Sequence, residues 1–123
     1  MKKIEPNETN RLAIVRDLLE LSKPLEEIIA QLVTLNCDYE GHGVELTRNH
    51  LAMALRRYLQ GELSDADIES WANQIEGRED IQFETDSEQE IEDVLYELAN
   101  PLLTEALSLT RAKALIEKLN LPT

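Results

Sequence analysis

Apolar residues recur at helical spacing along nearly the whole chain, and the interruptions between the stripes are sharp. Leu12, Val15, Leu18 and Leu19 follow the helical period, with Ile14 and Leu21 widening the stripe, and predict a first helix. Pro24 interrupts that pattern. A second stripe then runs through Leu25, Ile28, Ile29, Leu32 and Val33. Proline is tolerated in a first helical turn, so Lys23-Pro24 reads as a boundary between two helices rather than a kink. The segment from Asn36 to Gly43 ends the second helix with turn residues and two glycines.

The next helices are marked by their caps. Thr47 precedes the stripe Leu51, Leu55, Tyr58 and Leu59, with Leu46 and Leu51 at staple spacing and Gly61 as the stop. Ser64 precedes Ile68, Trp71, Ala72 and Ile75 in the same style, with Leu63 and Ile68 as staple and Gly77 as the stop. Ser87-Glu88-Gln89-Glu90 has the letters of a full capping box ahead of Ile91, Val94, Leu95 and Leu98. Pro101 ends that pattern or starts a short turn, and Thr110 is the expected cap of a last helix with Ala112, Leu115, Ile116 and Leu119 facing inward. Two short alternating pieces, Val44 to Leu46 and Ile81 to Glu84, are candidates for a tiny two-stranded ribbon. No repeat is visible. The expected fold is all-α: one compact domain over residues 1–123, a bundle of about six helices, with residues 1–7 as a flexible tail.

Composition changes this picture in one respect. The chain has 123 residues and a net charge of −13, and the imbalance lies in the 36 residues from Glu62 to Glu97, which hold 14 carboxylates and one cation, Arg78. The other 87 residues carry 11 acids and 11 bases. Such a region attracts basic partners at long range and repels phosphate backbones. On the fourth and fifth helices Asp65, Asp67, Glu69, Glu76, Glu88, Glu90, Glu92, Asp93 and Glu97 fall mostly off the apolar stripes and are expected to face solvent. First-turn acids also favour the helix dipole, a purely structural use. A solvated face that keeps the protein soluble is the plain alternative. Tyr96 lies between acids and off its stripe, which makes it a candidate interface anchor.

Other chemistry is less well supported. Asp65, Asp67, Glu69, Trp71, Asn73 and Glu76 fall at calcium-loop spacing, but Ser70 stands where the sharp turn needs glycine, and the same residues form a capped amphipathic helix. Cys37, Asp38, Glu40, His42 and His50 are metal-ligand types without a zinc or di-iron spacing. His50, third after Thr47, is better placed as a cap or surface residue. Cys37 is the only cysteine, which excludes an internal disulfide and fits a reducing compartment. The helix–turn–helix pattern around Gly61 would put the acidic segment Asp65 to Glu76 on DNA, so direct nucleic-acid binding is not expected. Arg48, Arg56 and Arg57 are expected to pair with neighbouring carboxylates. Neither a signal peptide nor a membrane span is visible in the sequence, and the expected location is cytoplasmic.

The stretch Leu55-Arg56-Arg57-Tyr58-Leu59-Gln60-Gly61-Glu62-Leu63-Ser64, with Trp71-Ala72-Asn73, Ile75 to Ile81 and Glu97-Leu98-Ala99-Asn100-Pro101, resembles a group of small, functionally uncharacterised bacterial helical proteins. Its central Leu-x-Gly-Glu-Leu-Ser…Trp-Ala pattern also resembles the helical immunity proteins of the colicin D type, over about a quarter of the chain. Those are small acidic bundles that cover the active site of a basic tRNase. The resemblance implies an inhibitor-like role and transfers no individual residue.

The sequence therefore leads to a non-enzymatic, cofactor-free and metal-free protein-binding module that docks a basic protein, a toxin or a nucleic-acid-binding protein, with an immunity or antidote protein as the sharpest version. The expected partner-binding residues are Asp65, Asp67, Glu69, Glu88, Glu92, Asp93 and Tyr96. The alternative is an accessory or regulatory helical domain that binds through an apolar surface or self-associates. An enzyme or metal protein using Cys37, His42 and nearby acids is the third possibility.

Overall fold

The computed structural model describes residues 6–35 and 41–120. Among them are six helices: α1 (Pro6–Glu20), α2 (Leu25–Leu32), α3 (Arg48–Leu59), α4 (Asp65–Ile75), α5 (Glu88–Ala99) and α6 (Leu109–Asn120). Two three-residue strands, β1 (Val44–Leu46) and β2 (Ile81–Phe83), complete the described elements. The expected all-α bundle with a minimal ribbon is what forms. The ribbon is parallel, with Val44 opposite Ile81 and Leu46 opposite Phe83, so α3 and α4 together make the crossover between its strands. Helix α1 begins at Pro6, so the last two residues of the expected tail are helical.

The core is aliphatic, aromatics making up only 4% of the chain. Val15, Leu18, Ile28, Leu46, Leu51, Leu55, Ile68 and Ile91 are fully buried, joined by Leu115 and Leu119 of α6. Helix α3 packs most extensively against α6, α4 against α5, and α1 against α2. The one tryptophan, Trp71, lies at the centre and donates its indole N–H to the carbonyl of Leu18 at 2.7 Å. That bond satisfies both a buried donor and a carbonyl near the end of α1.

Local chemistry sets the helix ends. At α3 the Thr47 hydroxyl accepts from the His50 N–H, and His50 Nδ1 accepts from the Thr47 N–H at 3.0 Å, a reciprocal box with histidine in the acceptor's place. At α4, Ser64 and Asp67 form the same box. Helices α1 and α3 both end in Schellman turns, with Ser22 N–H bonded to Asp17 O and Glu62 N–H bonded to Arg57 O. The left-handed position is Gly61 (φ 83°) in α3 but Leu21 (φ 50°) in α1. Leu21 keeps the strained conformation because its side chain is buried and its carbonyl accepts from Arg57 at 2.8 Å.

Three local expectations are corrected. Ser87 makes no side-chain cap bond, because it sits at φ −129°, ψ 12°, outside the extended conformation that aims a cap hydroxyl at the helix. Glu90, the expected return acceptor, lies 3.8 Å from Arg48 instead. Helix α6 starts at Leu109, before Thr110, and its cap is Ser108, whose hydroxyl accepts from the Arg111 N–H. Val33 is 75% exposed, since α2 stops at Leu32 and the residue falls past the helical stripe.

A buried charge cluster fastens β2. The Asp80 carboxylate, with no exposed surface, accepts from Arg78 at 2.9 and 3.1 Å and from Arg11 of α1 at 2.7 Å. Its main-chain carbonyl accepts from Val44 N–H, and Gly43 passes so close that a Cβ there would stand 2.3 Å from the Asp80 oxygen. Gly43 is thus required for lack of space, not for its backbone angle.

Candidate functional site

Helices α4 and α5 carry most of the acidic segment. The start of α4 shares a groove with the end of α5, while Glu76 and Gly77 share a hollow with Glu92 and Leu95, so the two helices run in opposite senses. Their apolar stripes face each other and the core, which leaves the charged positions outside.

The fold divides those charges in a way the linear count does not. Asp80 is buried, and so is Arg78, the segment's lone cation, which belongs to the core cluster and not to the surface. Glu97 is half-buried and accepts two bonds from Arg111 of α6, at 2.6 and 2.7 Å. Glu84 accepts from the first N–H of α3, at Arg48, and both Glu84 and Glu90 lie within 4.0 Å of the Arg48 guanidinium. Glu62 pairs with Arg57 at 3.0 Å. Arginines from α1, α3 and α6 thus reach at least five of the 14 carboxylates, and the expectation of solvent-facing acids fails at the half-buried Asp67 and Glu76 and at the arginine-paired Glu90 and Glu97. Glu90 and Glu97 sit beside arginines because a neighbouring helix brings one to each.

The expected partner-binding residues separate accordingly. Glu88, Glu92 and Tyr96 lie four residues apart along one exposed face of α5, with Asp93 beside them accepting from Gln89 at 2.9 Å. Tyr96 is 46% exposed. Asp65 and Glu69 are exposed at the far end of α4. None of Asp65, Glu69, Glu88, Glu92 and Asp93 has a cationic partner among the described residues. Asp67 does not join them. It is half-buried, caps its own helix, and borders a different recess with Leu21, Lys23, Pro24, Arg57 and Glu62. Its spacing from Asp65 and Glu69 already placed it on another side of the helix.

A groove of about 140 Å³ lies between the start of α4, the end of α5 and the segment that follows it. Ile68, Leu98, Pro101 and Leu107 contribute its apolar surface, and Asp65, Glu69, Glu97 and Glu105 are its charged residues. Beside it the turn Asn100–Thr104 holds Leu102 at 98% and Leu103 at 73% exposure. Pro101 opens this turn, one of the two roles its position in the sequence allows. Leu102-Leu103 outside any stripe was the signal that pointed to this surface.

The remaining candidates place as follows. Asp65 to Glu69 and Trp71 to Ile75 are regular helix, so they cannot wrap a cation. His42 is exposed, and Cys37, Asp38 and Glu40 lie outside the described residues. No group of three or more metal-ligand side chains converges among the described residues. His50 is half-buried as the α3 cap, and burial lowers its pKa against the opposing pull of Glu20, Glu45 and Glu84. Burial alone would raise the Asp80 pKa, but the bonds and charges of Arg78 and Arg11 outweigh it and hold that carboxyl below its usual range. No helix among the described residues is long and apolar enough to cross a membrane. No family model, no curated protein and no solved structure matches this chain.

Proposed function

We propose that this protein is a non-enzymatic binding module that docks a basic protein on the outer face of α4 and α5. The supporting observation is the set Glu88, Glu92 and Asp93 with Tyr96 among them: three exposed carboxylates without a cationic partner in the described structure, around a half-exposed aromatic ring. Glu84, Glu90 and Glu97 of the same segment each lie beside an arginine, and these three do not. Like charges on one helix face repel, and an approaching basic surface relieves that repulsion while the field raises the association rate. An immunity or antidote protein, whose carboxylates cover a cleft built for phosphates, is the sharpest form of this reading, and it agrees with the resemblance to colicin D type immunity proteins.

The test is capture of partners from a lysate of the source cell at low and at high salt, identified by mass spectrometry. A basic protein that elutes with salt and is lost with Glu88→Lys, Glu92→Lys and Asp93→Lys combined is the expected result. A partner held equally at both salt concentrations, or unaffected by the charge reversals, overturns it. Exposure of Leu102 and Leu103 favours a second reading, a helical accessory domain that binds through apolar surface or to its own copy. A dimer that persists in high salt would select that one.

A further inference from the structure

Exposed leucines are common singly, but Leu102 and Leu103 are not displayed by a loose loop. The Leu103 and Thr104 N–H groups both donate to Asn100 O at 3.0 Å, and the Thr104 hydroxyl donates to Glu97 O and Asn100 O. Asn100 in turn donates its side-chain amide to Tyr96 O at 2.9 Å. These bonds tie the turn to the end of α5, with its two leucines exposed to solvent.

The adjoining groove states what would cover that turn. At about 140 Å³ it is well below the 300–1,000 Å³ of small-molecule pockets and suits one long side chain. Its apolar residues, Ile68, Leu98, Pro101 and Leu107, match an aliphatic stem, and every charged residue lining it is an acid. Arg111 reaches Glu97 and stands 3.6 Å from Glu105, which leaves Asp65 and Glu69 without a cation among the described residues. A second copy of this chain would bring the same acidic rim against it, with −13 charges on each molecule.

We infer that the Asn100–Thr104 turn and the groove beside it form the docking point for a basic amphipathic segment of a partner protein. That segment sets an apolar side chain on Leu102 and Leu103 and a lysine or arginine in the groove, its stem on Leu98 and Pro101 and its cation at Asp65 and Glu69. Lysine and arginine lie along apolar surface in this way whenever a charge partner waits at the end. The inference rests on the binding-module reading and locates its apolar contact.

The probe is a synthetic helix-forming peptide with leucines on one face and lysines on the other, titrated into isotopically labelled protein and followed by amide chemical shifts. Two control peptides carry serine for every leucine, or glutamate for every lysine. The expected result is saturable binding of the first peptide alone, with shifts confined to residues 65–69 and 98–107. Leu102→Ser with Leu103→Ser, and separately Glu69→Lys, should each weaken it about tenfold, near 1.4 kcal/mol. Glu88→Lys with Glu92→Lys should weaken it far less. Equal binding of the serine peptide, with shifts spread over α4 and α5, overturns the docking point and leaves the acidic-face reading standing. Binding of the glutamate peptide, or a salt-resistant dimer abolished by Leu102→Ser, overturns it in favour of an apolar or self-associating surface. No saturable binding of the lysine–leucine peptide overturns it outright, while the lysate experiment still decides the binding-module reading.

Discussion

Replacing Asp80 tests the core of the structural argument. Its carboxylate accepts bonds from both Arg78 and Arg11, and it has no exposed surface. Removing one partner from a buried ion cluster costs about 3–5 kcal/mol, because the charges it balanced stay buried. For Asp80→Ala the loss is expected at the upper end of that range. Asp80→Asn keeps the volume and one acceptor but turns an amide toward a guanidinium, and belongs at the lower end. Against a typical total stability of about 5–15 kcal/mol, either variant should lower Tm by roughly 10–25 °C.

Trp71 is the chain's single tryptophan and is buried at the centre, so its fluorescence reports global unfolding in urea. A compensated variant separates charge from packing. Arg11→Met, Arg78→Met and Asp80→Leu together should be close to neutral or even more stable, since apolar replacement of a whole buried cluster often is. The acid side gives an independent check. With its pKa held below the ordinary 3.8, Asp80 contributes stability that is intact above that value and disappears as pH falls through the folded-state pKa. If Asp80→Ala costs less than about 1 kcal/mol, the pair behaves like a surface ion pair and the account of how β2 is held is wrong.

Other expectations follow from the same contacts. His50 has a folded pKa below its ordinary 6.5, so the unfolded chain takes up the proton first; stability should be complete above pH 6.5 and decline as pH falls below it. His50→Gln keeps an acceptor for the Thr47 N–H and should flatten that part of the urea-stability profile. Gly43→Ala drives a methyl into the Asp80 carbonyl and should cost about 1–3 kcal/mol or more in the same assay, whereas Gly61→Ala meets open space and should lose only about 1 kcal/mol to its left-handed angle. Arg111→Met removes two short bonds to Glu97, in a pair partly open to solvent, and should cost about 1–2 kcal/mol, less in high salt.

The helices were legible because each has a single apolar stripe and a marked end. Gly61 and Gly77 stop α3 and α4 where expected, and Trp71 sits inward as its stripe required. The failures share a cause. Ser87 carries the right letters, but a preceding turn with Asp86 at φ 71° fixes its backbone in the wrong region for a cap. Asp80 enters the sequence only as one of the segment's 14 charges, because its partner Arg11 lies 69 residues away and no local pattern links them. The parallel pairing of β1 with β2 depends on how two intervening helices fold back, which alternation over three residues cannot express. For the candidate site, Tyr96 and the acids of α5 were visible from spacing alone. The groove was not, because it joins α4, α5 and residues 101–107 through packing.

The distribution of arginines also shows which carboxylates serve the fold. Glu84, Glu90 and Glu97 sit beside cations or helix ends, and neutralising any of them should cost stability. Glu92 and Asp93 gain nothing comparable from their surroundings. Glu92 lies four residues from Glu88 on the same helix, and among the described residues the only bond to Asp93 is one from Gln89 at the surface. Glu92→Gln with Asp93→Asn should therefore leave stability unchanged or raise it by up to about 0.5 kcal/mol, through relief of like-charge repulsion. A charge kept where it does not stabilise the fold is what a binding surface requires, because the repulsion it stores is released only when a cationic partner arrives. If the doubly neutralised protein instead loses 1 kcal/mol or more in urea, those acids are structural, and the argument that places a partner on α5 loses its main support.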